Sequence, residues 1–145
     1  MKSVDEEKKM DQRYEILIVD DEPIVGERLS ATLSRDGHEV EAYSDPAEAL
    51  HRVASKTFDI VICDIRMGEI DGLQVMERVL GDSPGTKFIM ITGYATLELA
   101  RESLTKGAFD FIAKPFKLGE IRKTIDKAVA ALHNESESAP EGGGA

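Results

Sequence analysis

VICDIRMGEIDG, residues 61–72, opens with an apolar run that stops at an aspartate, Asp64. The run extends back to Ile60 and is too continuous for a strand that has one face in water. It is typical of a central strand in a parallel sheet, which is buried on both faces. A carboxylate at the end of such a strand is either a helix-capping group or a reactive group on a rigid platform.

Short apolar runs alternate with longer amphipathic runs along the rest of the chain. The second apolar run, 39–43, alternates between polar and apolar residues and suits an edge strand. "DPAE" at 45–48 resembles a capping box, with Asp45 as the cap and Glu48 facing back. The five predicted strands are 16–20, 39–43, 60–64, 88–92 and 109–113, and the predicted helices are 23–35, one beginning at Pro46, 72–80, 96–106 and 117–134. This βα alternation predicts an α/β fold, a doubly wound parallel sheet with helices on both faces.

Length and composition exclude several classes of protein. The chain has 145 residues, enough for one domain with a real core, and 41% of them are hydrophobic. No apolar stretch approaches the roughly 20 residues of a membrane span, so no membrane partner is expected. The net charge of -10 disfavours direct binding of nucleic acid. A single cysteine, Cys63, fits a reducing, cytoplasmic setting.

The chain divides by composition into three parts. Residues 1–13 form a polar lead-in without the apolar segment of a signal peptide. Residues 14–134 carry the alternating pattern of one folded domain. Residues 135–145, "ESESAPEGGGA", have the composition of a disordered tail or a linker stub. No second domain follows, so we expect either a stand-alone domain or a fragment cut at a linker.

Polar residues follow four of the five predicted strands. They are Asp20 and Asp21 after the first strand, Asp64 after the third, Thr92 after the fourth and Lys114 after the fifth. Each alone could be a cap, a turn residue or a solvated lysine. The ends of parallel strands meet at one edge, however, and three acids packed together there repel one another unless a cation is supplied. Mg²⁺, which prefers oxygen ligands, would offset this repulsion. The three acids, the hydroxyl and the lysine together predict a phosphoryl-transfer site.

Four motifs, ILIVDDEP (16–23), DIVICDIRMGEIDG (59–72), MITGYA (90–95) and GAFDFIAKPF (107–116), lie on successive predicted strand ends. In their order and spacing they resemble the receiver domain of two-component response regulators, over roughly Tyr14 to His133. The resemblance implies a flavodoxin-like five-stranded sheet in the order 2-1-3-4-5. It also implies that Asp64 accepts a phosphoryl group from a phosphohistidine on a sensor histidine kinase or a phosphotransfer protein.

The resemblance assigns further roles around Asp64. It implies that Asp21 binds Mg²⁺ directly, that Asp20 does so mainly through water, and that the main-chain carbonyl of Arg66 adds a ligand. Mn²⁺ can substitute for Mg²⁺. Lys114 pairs first with Asp64 and then with a phosphoryl oxygen.

A switch is also implied by the resemblance. Thr92 hydrogen-bonds a phosphoryl oxygen, and Phe111 is the aromatic residue that turns inward on activation. The face made by helix 96–106, strand 109–113 and helix 117–134 then docks an effector protein or domain, or forms a phosphorylation-dependent homodimer.

Three loop features complete the resemblance. The Lys114–Pro115 peptide bond is expected to be cis. Arg66 and Tyr94 lie at the positions that flank the attacking water in the family, so the pair is expected to tune the lifetime of the acyl phosphate. Gly68 stands where the family very often has proline, which predicts a more mobile loop beside Asp64.

Two other functions remain open from the residues alone. A Mg²⁺-dependent phosphohydrolase of the haloacid-dehalogenase type also forms an aspartyl phosphate, but it places its nucleophile in a D-x-D motif on the first strand. Here the first strand ends in the adjacent acids Asp20 and Asp21, and the candidate nucleophile lies on the third. The other alternative is a degenerate receiver that acts only as an interaction scaffold. The intact set of site residues argues against it, and a non-enzymatic signalling module remains the leading prediction.

Overall fold

A computed structural model describes residues 13–138. Its sheet has five parallel strands in the order β2-β1-β3-β4-β5. The strands are β1 Glu15–Val19, β2 Glu39–Tyr43, β3 Ile60–Asp64, β4 Lys87–Thr92 and β5 Asp110–Ala113, and the helices are α1 Pro23–Arg35, α2 Pro46–Val53, α3 Gly72–Asp82, α4 Leu97–Thr105 and α5 Leu118–Ser138. The predicted fold class and strand order are confirmed.

The alternation of side chains across the strands builds a core on each face of the sheet. On β1, Ile16 and Ile18 face α1 and α5, whereas Leu17 and Val19 face α2, α3 and α4. All five residues of β3 are buried, as expected for a strand that is covered on both sides. Asp64 therefore stands at the end of the most enclosed strand in the described part of the chain.

A network of charged side chains lies along the β2 edge of the sheet. Glu41 of β2 accepts hydrogen bonds from Arg52 at 2.8 Å and 2.9 Å and from Lys56 at 2.9 Å. The Arg52 hydrogen bonds, helped by Lys56, lower the pKa of Glu41 to about 2 despite its partial burial. Charged side chains along an edge strand discourage pairing with a second chain, so this network marks β2 as an edge, as predicted.

Helix capping differs from the prediction at two places. Asp45 accepts a hydrogen bond from the Ala47 N–H at 2.9 Å, an ordinary N-cap, and the reciprocal capping box lies elsewhere. It joins Asp71 and Gln74 at the start of α3, where each side chain accepts from the other residue's N–H at 2.9 Å. The better-defined cap therefore fixes α3, the helix that follows Asp64.

The last helix is longer than its sequence pattern predicts. The pattern predicts an end at residue 134, but α5 continues to Ser138. Glu135, assigned to the tail by composition, forms an ion pair with Lys87 of β4 at 2.8 Å, which ties the added turn to the sheet. Residues 1–12 and 139–145, which include most of the predicted lead-in and tail, lie outside the described residues. Within 13–138, no helix is long and apolar enough to cross a bilayer.

Candidate functional site

The strand register brings the predicted site residues to one edge of the sheet. Asp20 directly follows β1, Asp64 is the last residue of β3 and Thr92 the last of β4. Thr92 pairs with Ala113 of β5, so Lys114 leaves the sheet at the same level. One carboxylate oxygen from each of Asp20, Asp21 and Asp64 lies within 4.8 Å of the others.

Asp64 is held by contacts to both of its carboxylate oxygens. Its side chain is buried, and Oδ1 accepts a hydrogen bond from the Arg66 N–H at 3.3 Å. Oδ2 accepts from the Lys114 ammonium at 3.0 Å. A carboxylate fixed in this way is held in one position at the end of its strand.

The Lys114 ammonium lies at the centre of an acidic pocket. Its Nζ is 2.8 Å from Asp20 Oδ2 and 3.0 Å from both Asp64 Oδ2 and Glu22 Oε1. Burial alone would lower the pKa of Lys114, but the contacts with these three acids outweigh burial and raise that pKa above its ordinary value. The ammonium is therefore charged under all ordinary conditions, and it neutralises only part of the pocket's negative charge.

Asp20 is a buried acid that its neighbours satisfy only in part. Its Oδ1 accepts from the Glu22 N–H at 2.9 Å. Its buried Oδ2 has no hydrogen bond of acceptable angle among residues 13–138, although the Lys114 ammonium is close enough for an ion pair. Burial raises the pKa of Asp20 in spite of the opposing effects of the Lys114 ammonium and of the hydrogen bond from the Glu22 N–H. A buried, under-satisfied carboxylate oxygen beside the exposed Asp21 and the buried Asp64 is a donor set that fits a hard divalent cation such as Mg²⁺.

Thr92 and Phe111 lie on the same face of the sheet. Thr92 is fully buried, and its Oγ1 accepts a hydrogen bond from the Tyr94 N–H at 3.1 Å. Phe111 is half-buried and pairs in register with Met90, two residues before Thr92 on β4. Paired residues of parallel strands share a face, so Phe111 is diagonal to Thr92 on the side that α4 covers.

The loops after β3 and β4 form the rim of the pocket. The Arg66 guanidinium lies 4.8 Å from the centre of the Tyr94 ring, and the Tyr94 side chain is exposed. Gly68 has a φ of 88°, in the left-handed region that is closed to proline, whose φ is fixed near -65°. The loop therefore has a conformation that a proline at residue 68 could not adopt. The Lys114–Pro115 peptide bond is cis.

Sequence reasoning missed two residues of the site. The sequence shows Glu22 only as part of the ILIVDDEP motif, yet its side chain binds Lys114. Gly72 begins α3 against the end of β3, and a Cβ there would lie 2.9 Å from Ile65 Cα and 3.0 Å from the Asp64 carbonyl carbon. A glycine that follows an aspartate was the available signal for Gly72, but it indicates a turn as readily as a close backbone approach.

Comparison with known proteins places this geometry in a family. The sequence model of the response regulator receiver domain matches residues 16–126. The transcriptional regulatory protein ZraR of Escherichia coli K12 is 32% identical over 126 residues, 87% of this chain and 29% of that protein. The response regulator protein PilR of Pseudomonas aeruginosa is 36% identical over 128 residues, 88% of this chain and 29% of that protein. The chain thus spans less than a third of the length of these relatives.

A solved structure agrees with the sequence comparison. A CheY-like response regulator receiver domain protein from Methanospirillum hungatei superimposes with a TM-score of 0.81 at 31% identity, covering 85% of this chain and 98% of that one. The sheet order, the acidic cluster at the strand ends and these matches agree, and the chain belongs to the response regulator receiver domain family.

Proposed function

We propose that this receiver domain accepts a phosphoryl group on Asp64, with Mg²⁺ as cofactor, from the phosphohistidine of a sensor histidine kinase or a phosphotransfer protein. The observation that carries the proposal is the pairing of a buried, doubly held carboxylate with the Lys114 ammonium at 3.0 Å, beside two further acids. A structural aspartate would need neither this cation nor the neighbouring acids.

The transfer forms one bond and breaks another. An Asp64 carboxylate oxygen attacks phosphorus, and the P–N bond of the donor breaks, so that the imidazole leaves with the electron pair and takes up a proton. The Lys114 ammonium exchanges its contact with Asp64 for one with a phosphoryl oxygen, and the Thr92 hydroxyl donates to another. Asp20 and Asp21, with the Arg66 carbonyl, would hold Mg²⁺ or Mn²⁺, which neutralises the charge that gathers on the phosphoryl oxygens.

Incubation with acetyl phosphate and Mg²⁺ tests the proposal. We expect about one phosphate per chain, released slowly, because the site is built to hold the acyl phosphate. Release of many phosphates per chain would indicate a phosphohydrolase, and absence of label would indicate a scaffold. Either result would contradict the proposal.

Asp21→Ala is expected to abolish labelling and to weaken Mg²⁺ binding by at least about tenfold, since it removes a charged metal ligand. The fold should remain intact, because Asp21 is exposed and its removal relieves repulsion in the acidic pocket. Mg²⁺ titration followed by amide NMR measures the affinity, and thermal unfolding monitors the fold. Asp82→Ala is the control: it removes an exposed carboxylate at the other end of α3. Equal Mg²⁺ affinity in both variants would contradict the assignment of Asp21.

We propose that the signal leaves the site through Thr92 and Phe111. When Asp64 carries phosphate, the Thr92 hydroxyl gains a charged acceptor and moves toward it. That movement vacates volume on the face where Phe111 is half-buried, and a packed interior favours filling it. The shape of the face made by α4, β5 and α5 changes as a result.

Thr92→Ala is expected to reduce the remote response to beryllofluoride, a stand-in for the bound phosphoryl group. In the wild type, amide shifts at 96–106 and 109–116 should exceed those at 45–55, through a coupling of roughly 1–3 kcal/mol. Thr92→Ser keeps the hydroxyl and should preserve the response. Equal remote shifts in the wild type and Thr92→Ala would show that the signal takes another route.

The same face is the proposed site of an effector or of a phosphorylation-dependent homodimer. Leu97 and Leu104 of α4 are 68% and 48% exposed, which is apolar area available to a partner.

The acidic charge of the chain supports a protein partner over nucleic acid, and the free, buried Cys63 supports a cytoplasmic location. We further propose that Arg66 and Tyr94, whose guanidinium and ring lie 4.8 Å apart at the rim, tune the lifetime of the acyl phosphate.

A further inference from the structure

We infer that Glu22 is a positioning residue for the phosphoryl-transfer reaction, because it holds the Lys114 ammonium in place while the other acids change their partners. The inference rests on the proposed phosphoacceptor role of Asp64. Glu22 would act through Lys114 and would touch neither the phosphoryl group nor the metal.

The first argument is the set of acids around the Lys114 ammonium. A lysine ammonium has three N–H donors. Its neighbours here are three acids, Asp20 at 2.8 Å and both Asp64 and Glu22 at 3.0 Å. The ammonium donates hydrogen bonds to Asp64 and Glu22 and forms an ion pair with Asp20, so Glu22 accepts one of its two hydrogen bonds.

The second argument is the place of Glu22 in α1. Glu22 is the N-cap of this helix, a position that favours Ser, Thr, Asp or Asn. Its side chain makes no capping hydrogen bond. Instead it reaches Lys114, which lies 92 residues further along the chain. Glutamate is a poor N-cap residue, but at this position it binds a residue of the site. The contact with Lys114 is therefore the better explanation for a glutamate at residue 22.

The third argument is what happens to the other two acids. Asp64 loses charge when it becomes an acyl phosphate, and Asp20 belongs to the cluster that fits a cation. Both contacts to Lys114 weaken as the reaction proceeds. Glu22 is outside that cluster, so its contact with Lys114 can persist from the free to the phosphorylated state.

The ion pair contributes little to folding stability, which makes a functional test possible. The Glu22 side chain is 61% exposed, and exposed ion pairs typically add less than about 1 kcal/mol. Glu22→Asp keeps the charge and supplies a favoured N-cap, but it is one methylene too short for the contact with Lys114. This variant should be as stable as the wild type, or more so.

The experiment compares Glu22→Asp with Glu27→Asp, the same change at an exposed residue of the same helix. We expect the ¹⁵Nζ signal of Lys114, sharp in the wild type, to broaden or disappear in Glu22→Asp alone. The rate of labelling at saturating acetyl phosphate should fall roughly three- to tenfold in that variant, as expected for a displaced catalytic group. Glu22→Gln keeps the reach with a neutral acceptor and should restore part of the rate.

Three results would overturn the inference. An unchanged Lys114 signal in Glu22→Asp would show that the contact is absent in solution. A lost signal with an unchanged rate would show that the contact does not position Lys114 for the reaction. An equal loss of rate in Glu27→Asp would show a general effect of helix α1. Failure of the wild type to label would instead contradict the proposed function, while the signal would still report on the contact.

Discussion

Asp64→Asn is expected to abolish labelling by acetyl phosphate. The amide has the size of the carboxylate but lacks its nucleophilic charge, so the phosphoryl acceptor is lost. The fold should persist, because the Asn oxygen can still accept the hydrogen bond that Asp64 receives from the Arg66 N–H at 3.3 Å. We expect no aspartyl phosphate by intact-mass spectrometry, and a thermal unfolding transition that is retained.

Asp59→Asn is the matched control for this variant. Asp59 lies just before the other end of β3, where its Oδ2 accepts a hydrogen bond from the Glu15 N–H at 2.8 Å. The same chemical change there should leave labelling at about one phosphate per chain. Persistent, acid-stable label on Asp64→Asn would locate the modification on a serine, a threonine or another residue.

The fold could be predicted because the residue types in each apolar run indicate how far that strand is buried. The β-branched runs of β1, β3 and β4 predict central strands, and the alternation in 39–43 predicts an edge. The structure has these positions. The sequence predicts that Asp20, Asp64 and Lys114 lie together because the strands are parallel. All strands of a parallel sheet that run in one direction end at the same edge.

The features that were not predicted depend on contacts between distant segments. Glu22 and Lys114 meet only because β1 and β5 end at the same edge, and no local pattern in the sequence pairs them. The end of α5 was misplaced because composition does not reveal the ion pair between Glu135 and Lys87. A capping acid followed three residues later by Glu or Gln occurs at both 45–48 and 71–74, and it is at Asp71 that the reciprocal box forms.

Gly72 is the clearest case of a residue whose importance is visible only in three dimensions. It is buried at the start of α3, and its N–H donates to the Ile65 carbonyl at 2.8 Å. This contact brings the first turn of α3 against the backbone that carries Asp64. A side chain at residue 72 would overlap the Asp64 carbonyl group, and backbone atoms of a central strand cannot move aside cheaply.

Gly72→Ala is therefore expected to destabilise the domain by about 3 kcal/mol, because the helix start and the strand end must separate to admit the methyl group. The same displacement moves Asp64, so labelling by acetyl phosphate should slow by at least about tenfold even where the protein is still folded.

Gly81→Ala in the same helix is the control, since a Cβ there meets nothing within 4 Å. It should stabilise the helix by roughly 0.5–1 kcal/mol and leave the labelling rate unchanged. Urea unfolding measures the first effect and timed labelling the second. If Gly72→Ala matched Gly81→Ala in both measurements, the close approach of α3 to Asp64 would not exist in solution.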